Sequence, residues 1–225
     1  MKSWYPILKL ILKVYVTLYM DDIRISGKEH IPTGPKIIVA NHPNATDGFT
    51  LPFVFPETLH FLIQESVFST PFVGRLLAWA EQIPVVNGKG RHALDLAKEK
   101  LYQGNSVVIF PEGRLNNDQG LHKGRLGAAR LATETGIPLL PLGFFVPRDA
   151  LRSFSKNIRE EDRISTSRWQ WGGDCFVRIG RPFQFTNDLI VGDLENYLSK
   201  LTEHIMAQIA GLVDLARGDA NISNS

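Results

Sequence analysis

The sequence predicts an α/β fold, a mainly parallel sheet flanked by helices with an N-terminal interfacial amphipathic helix in front of it. Seven apolar runs have strand length, at 23–26, 36–40 (KIIVA), 59–63 (LHFLI), 83–86 (IPVV), 106–110 (SVVIF), 139–145 (LLPLGFF) and 175–179 (CFVRI). Helical periodicity fills the intervals at 47–55, 71–80, 91–103, 124–135 and 189–215, with Gly104 and Gly136 placed to end two of these helices. Strands that are apolar at consecutive residues are covered on both faces, as in a parallel sheet built from crossover helices. Ligands of such sheets sit beyond the carboxyl ends of the strands, so chemistry is sought just after each apolar run. The polar stretch 152–172 is the one linker-like segment, and it is too short to separate a pair of domains. The division expected is a helix at 1–22 followed by a single domain at 23–225.

The first element is the N-terminal helix. Residues 4–20, WYPILKLILKVYVTLYM, are mostly apolar but carry Lys9 and Lys13 and fall short of the ~20 residues that span a bilayer. Lys9, Lys13 and Thr17 recur every four residues, which on a helix sets them on one face opposite Leu8, Ile11, Leu12, Tyr15, Leu18 and Tyr19. Trp4, Tyr5, Tyr15 and Tyr19 suit the headgroup zone and the lysines suit anionic lipid, so the helix is expected to lie in a membrane surface. A helix that caps a soluble core would show the same stripe. The run ends in Asp21-Asp22 with no small-residue cleavage site, unlike a signal peptide.

Charge and cysteine content narrow the partners. Twenty-five Lys and Arg stand against 23 Asp and Glu, a formal net charge of +2, too balanced for a chain whose main partner is a nucleic acid. Cys175 stands alone, so no intrachain disulfide forms, and no Cys/His cluster has zinc spacing. These features fit a reducing, cytosol-facing setting without a metal.

Two strand ends carry candidate chemistry. The run KIIVA leads into Asn41-His42-Pro43-Asn44-Ala45-Thr46-Asp47-Gly48, where Pro43 forces a turn and Thr46 or Asp47 can cap the following helix. A carboxylate beside an imidazole fixes its tautomer and leaves the other nitrogen to take a proton from a hydroxyl. The spacing alone also fits a hydrogen-bonded turn His and an N-cap Asp. The run SVVIF ends in Pro111-Glu112-Gly113-Arg114, and Lys123, Gly124 and Arg125 open the next helical segment, a place that attracts phosphate. Walker and dinucleotide fingerprints are absent, so the anion belongs to another kind of substrate. A Gly-x-Ser-x-Gly elbow is also absent, and Cys175 falls inside a strand, which reads as a small core residue.

Taken in order, Asn41-His42 with Asp47, Phe110-Pro111-Glu112-Gly113-Arg114 and Ile137-Pro138-Leu139-Leu140-Pro141-Leu142 resemble the motifs of the glycerolipid acyltransferases, typified by lysophosphatidic acid acyltransferase. Gln82-Ile83-Pro84-Val85-Val86-Asn87 falls where that family has its remaining motif, and the resemblance covers roughly residues 23–185. It implies transfer of a fatty acyl group from an acyl-CoA or acyl-carrier-protein thioester to a lysolipid hydroxyl. Lysophosphatidic acid giving phosphatidic acid is the leading case, on the cytoplasmic face of a membrane, with no cofactor or metal. His42 would be the general base and Asp47 its orienting partner, with Glu112, Gly113 and Arg114 shaping the acceptor pocket. Two departures bear on the acceptor. Asn87 stands where the family usually has Arg, and Arg114 directly follows Gly113 where the family often reads Glu-Gly-Thr-Arg. Lys89 and Arg91 are candidates for the missing charge, or simply a solvated helix start. Other acceptors, a hydrolase using the same pair on water, and a non-catalytic lipid-binding protein are the alternatives.

Overall fold

A computed structural model describes residues 4–116, 120–158, 163–185 and 193–223, with side chains described outside 155–158 and 163–166. Helix α1 (Tyr5–Tyr19) precedes β1 (Ile23–Ser26), β2 (Ile37–Ala40), α2 (Asp47–Val54), β3 (Leu59–Gln64), α3 (Glu65–Phe68), α4 (Val73–Trp79) and β4 (Ile83–Val85). There follow α5 (Gly90–Tyr102), β5 (Ser106–Ile109), α6 (Gly127–Thr135), β6 (Leu139–Phe145), β7 (Leu151–Ile158), β8 (Arg163–Gln170), β9 (Cys175–Ile179) and α7 (Leu194–Ser223). All seven apolar runs are strands, and they form one sheet in the order β1-β9-β6-β2-β5-β3-β4. The five strands from β6 to β4 are mutually parallel. β9 runs antiparallel to β6, and β1 pairs parallel with β9, so the sheet is mainly parallel with a reversed edge.

The continuous apolar strands are explained by two cores. Ile38, Ala40, Val108, Leu140 and Leu142 point into a layer closed by α1, α2 and α4, while Ile37, Val39, Val107, Ile109 and Leu139 point into the layer under α5, α6 and α7. The pleat sends neighbouring residues to opposite faces, so a strand covered on both sides has no polar position. Helix α6 starts at Gly127, later than the expected 124, and α7 runs past 215 to Ser223. The expected residues 189–192 lie outside the described residues.

The expected linker is a different structure. β7 and β8 form an antiparallel ribbon whose register runs from Leu151↔Gln170 to Ile158↔Arg163. Its sequence scatters a few apolar residues, Leu151, Phe154, Ile158, Ile164 and Trp169, among polar ones, so no apolar alternation marks it as strand. The base of the ribbon is anchored: the Tyr15 hydroxyl donates to the Gln170 carbonyl at 2.7 Å, and the Ala45 N–H donates to the Arg168 carbonyl at 2.7 Å.

Helix α1 divides its apolar residues in a way the four-residue lysine spacing did not resolve. Tyr5, Leu8 and Leu12 are buried in the main core and Val16 is buried on the same side, whereas Ile7, Leu10, Ile11, Val14 and Leu18 face outward. Lys9 lies between these faces and donates to the Phe55 carbonyl at 3.3 Å. The helix thus caps the core with one side and keeps an uncovered apolar stripe on the other, with Leu10 60% and Leu18 68% exposed. None of the described helices is long and apolar enough to cross a membrane. The two faces are separable by mutation. Leu12→Ala is expected to cost roughly 2–5 kcal/mol in denaturant unfolding, and Leu18→Ser to change stability by less than about 0.5 kcal/mol. Equal costs for the two would show that α1 packs on both sides.

Candidate active site

β2 and β5 are adjacent and parallel, so the chain leaves both at the same end of the sheet. At Asn41 the β2 backbone turns away, and its side chain completes the ladder to β6. Its amide donates to the Phe144 carbonyl at 2.9 Å and accepts the Phe144 N–H at 2.7 Å. That pairing frees His42 to lean toward the loop after β5. The His42 carbonyl accepts the Asn116 N–H at 2.7 Å, and the His42 N–H donates to Glu112 Oε1 at 2.9 Å. The other carboxylate oxygen of Glu112 accepts the His122 N–H at 2.8 Å. Glu112 is buried, and its two oxygens tie the turn after β2 to the segment that leads into α6.

His42 and Asp47 meet as the sequence expectation placed them. The imidazole Nδ1 lies 3.1 Å from Asp47 Oδ2, and the same oxygen accepts the Asn44 N–H at 2.9 Å. Asp47 opens α2, where the helix dipole favours a negative side chain. Thr46 occupies the N-cap position but makes no cap bond. It donates to Asn44 Oδ1 instead and accepts the Gln170 N–H at 3.3 Å. The imidazole ring is stacked on Phe110, with centroids 4.1 Å apart and planes 11° from parallel. With Nδ1 committed to Asp47, Nε2 is the nitrogen left for chemistry. Burial pushes the Asp47 carboxyl above its ordinary value; the hydrogen bond and charge of His42 and the Asn44 N–H oppose this, and the charge of Glu112 adds to it.

Gly113 has φ +65°, and a Cβ there would lie 2.5 Å from Arg125 Nε, so only glycine lets that guanidinium cross the turn. Arg125 is also pinned by its own N–H, which donates to the Pro111 carbonyl at 2.8 Å. Arg114 is exposed and reaches His122, with Nη2 3.3 Å from Nδ1. The structure therefore brings His42, Asp47, Glu112, Gly113 and Arg114 to one sheet end. It does not bring Asn87, Lys89 and Arg91 to the pair. β4 lies three strands from β2, about 14 Å at the usual ~4.8 Å per strand, and Arg91 is paired with Glu134 at 2.7 Å and Asp95 at 3.5 Å. Asn87 and Lys89 lie in the turn before α5.

Both oxygens of Glu112 are met by backbone donors, the N–H groups of His42 and His122. Phe110 completes the site through its ring face, although in the sequence it stands only as the first residue of the Phe-Pro-Glu-Gly-Arg motif; Asn116 and His122 complete it through backbone N–H groups, which no residue-type motif marks. Cys175 is buried in β9, where burial raises its thiol well above the ordinary range, with the charges of Asp47 and Asp174 adding to it.

Comparison with known proteins places this geometry in a family. The family model described as Acyltransferase matches residues 22–144, more than half of the chain and all of the site just described, and the chain belongs to that family. Among curated proteins it is 29% identical over 188 residues to a chloroplastic 1-acyl-sn-glycerol-3-phosphate acyltransferase of Brassica napus, a match covering 81% of this chain and 51% of the relative. It is 33% identical over 134 residues to a lyso-ornithine lipid O-acyltransferase of Pseudomonas aeruginosa, covering 58% of this chain and 50% of that protein. The chain thus spans about half the length of these curated relatives. The crystal structure of the 1-acyl-sn-glycerophosphate acyltransferase of Thermotoga maritima shares the fold. Its TM-score is 0.66 at 24% identity, covering 94% of this chain and 79% of that one.

Two substitutions test the geometry. Glu112→Gln keeps one acceptor oxygen and turns an amide toward the other N–H, so it should cost about 1–3 kcal/mol of stability and make residues 41–47 exchange amide hydrogens faster. Undisturbed exchange would mean that the clamp is unimportant. Asp47 binds its proton more tightly folded than unfolded, so its charge destabilises the protein above the raised value, and that cost fades as the pH falls toward the ordinary 3.8. Asp47→Asn should therefore melt no lower than wild type at neutral pH, with any advantage shrinking in acid. A lower melting temperature at neutral pH would contradict this.

Proposed function

We propose that the protein transfers a fatty acyl group from a thioester, acyl-CoA or acyl carrier protein, to the hydroxyl of a lysophospholipid at a membrane surface, with lysophosphatidic acid as the leading acceptor. The observation that carries this reading is the His42–Asp47 pair, held by Glu112 at the same sheet end as Arg114 and Arg125. His42 Nε2 takes the proton of the acceptor hydroxyl as its oxygen attacks the thioester carbonyl. The tetrahedral intermediate collapses with cleavage of the C–S bond, and the thiolate leaves with the proton returned by the imidazolium. Asp47 holds the imidazole by Nδ1 and stabilises its cationic form. Among the described residues no Ser or Cys side chain bonds to His42, which favours direct transfer over an acyl-enzyme. The family supports the reaction, and one relative's name gives the acceptor as 1-acyl-sn-glycerol-3-phosphate. Arg114 and Arg125 favour an acceptor of that charge, since guanidinium binds two phosphate oxygens at once. The outward stripe of α1 supports work at a lipid surface.

Labelled acyl thioester incubated with lysolipids that do and do not carry a phosphate monoester tests the reading, with acyl-CoA and acyl carrier protein compared as donors. His42→Ala should lower kcat/KM by about a hundred- to ten-thousandfold. Arg114→Ala and Arg125→Ala should each weaken the phosphorylated acceptor by roughly 1.5–3 kcal/mol and spare the other. Equal losses on both acceptors would make these arginines supports of the loop, and retention of more than about a tenth of activity by His42→Ala would remove it as the base.

A further inference from the structure

The corner between α3 and α4 lies beyond the carboxyl end of β3, at the same end of the sheet as His42. It carries an unusual residue. Phe72 is 84% exposed and has φ 63°, ψ −50°, the centre of a γ-turn closed by the Val73 N–H on the Pro71 carbonyl at 2.7 Å. A bulky side chain with positive φ is strained, and here no packing repays the strain. The corner is nevertheless tightly built. The Gly74 N–H donates to the Thr70 carbonyl at 2.8 Å, and a Cβ on Gly74 would come within 1.8 Å of the Phe68 carbonyl oxygen. The turn is thus forced, and it holds a phenyl ring out in solvent.

The ring is not isolated. Val67, Val73 and Trp79 are exposed beside it in sequence, and Trp79 meets Trp4 with ring centroids 4.9 Å apart. Trp4 lies on the turn of α1 that starts the outward stripe Ile7, Leu10, Ile11, Val14 and Leu18. α1 and α4 contribute Lys9, Lys13 and Arg75 and no acidic residue, α3 contributes the single exposed Glu65, and neither Lys13 nor Arg75 forms an ion pair among the described residues, so cations predominate. An apolar surface with aromatic members and unpaired cations is complementary to the interfacial zone of an anionic bilayer.

We propose that the α3–α4 corner is a second membrane-docking element, with Phe72 as an inserted wedge, that together with the outer stripe of α1 presents the His42 end of the sheet to an anionic bilayer. This rests on the reading of the protein as an acyltransferase working on a lipid acceptor, and gives that reading an orientation. One anchor on a single helix leaves the body free to roll about the helix axis; a second, at the corner, fixes which end of the sheet meets the lipid.

Phe72→Gly tests it, because glycine accepts the turn without strain. The variant should melt at or above the wild-type temperature. It should also partition about tenfold more weakly, equivalent to ~1.4 kcal/mol, onto vesicles of phosphatidylcholine with about one third phosphatidylglycerol. Phe72→Trp should restore binding, and pure phosphatidylcholine vesicles should bind the wild type less. Transfer to a water-soluble short-chain acceptor should be the same for Phe72→Gly and wild type. Unchanged vesicle binding by Phe72→Gly, or a lowered melting temperature, would overturn the proposal. So would concentration-dependent self-association that Phe72→Gly abolishes while vesicle binding persists, since the occupant would then be a second copy of the chain. Weakened vesicle binding with no acyl transfer by either protein would leave the docking surface standing and remove the acyltransferase reading.

Discussion

The carboxylate of Glu112 is the point on which the site depends. A buried carboxylate is costly unless its oxygens are met by donors, and here the two donors are the backbone N–H groups of His42 and His122. These belong to segments 80 residues apart in sequence that have no regular secondary structure of their own to hold them. The same charge therefore sets the direction of the chain after β2 and the approach of the segment that leads to α6. The two carbonyl-to-amide bonds that reinforce it, Asn116 to His42 and Arg125 to Pro111, follow from the same juxtaposition.

Around that clamp the sheet and the ribbon act as fixed walls. Asn41 replaces a backbone rung between β2 and β6, which lets the chain leave the sheet one residue before the His42 imidazole. On the other side, the β7–β8 ribbon supports the 44–46 turn through Arg168 and Gln170, and Tyr15 of α1 supports the ribbon. Phe49, Tyr15 and Trp169 close this junction with edge-to-face contacts. The N-terminal helix is thus joined through packed side chains to the turn that carries His42 and Asp47.

The sequence made the sheet legible because a strand covered on both faces has an unmistakable composition, and the position of His42, Glu112 and Arg114 followed from looking after the strands. Three things were not legible. The role of Glu112 lies in backbone partners, and a motif names only side chains. The ribbon was hidden because its few apolar residues do not alternate along the sequence, and its strand character comes from pairing with itself. The two faces of α1 were blurred because Lys9 and Lys13 mark the boundary between an inward and an outward apolar side, not the centre of a polar one. Sequence spacing alone does not show that β4 lies at the edge of the sheet or that Glu134 pairs with Arg91.

The proposed reaction requires His42 to rest with Nδ1 protonated toward an ionised Asp47, so that Nε2 is free to accept a proton. Burial raises the Asp47 carboxyl, so a protonated Asp47 donating to a bare Nδ1 is the physical competitor. Nitrogen-15 shifts of the His42 ring in the neutral protein, assigned by loss of the signals in His42→Ala, distinguish the two. A protonated Nδ1 with a bare Nε2 is the result the dyad requires. A bare Nδ1 with a protonated Nε2 would contradict it.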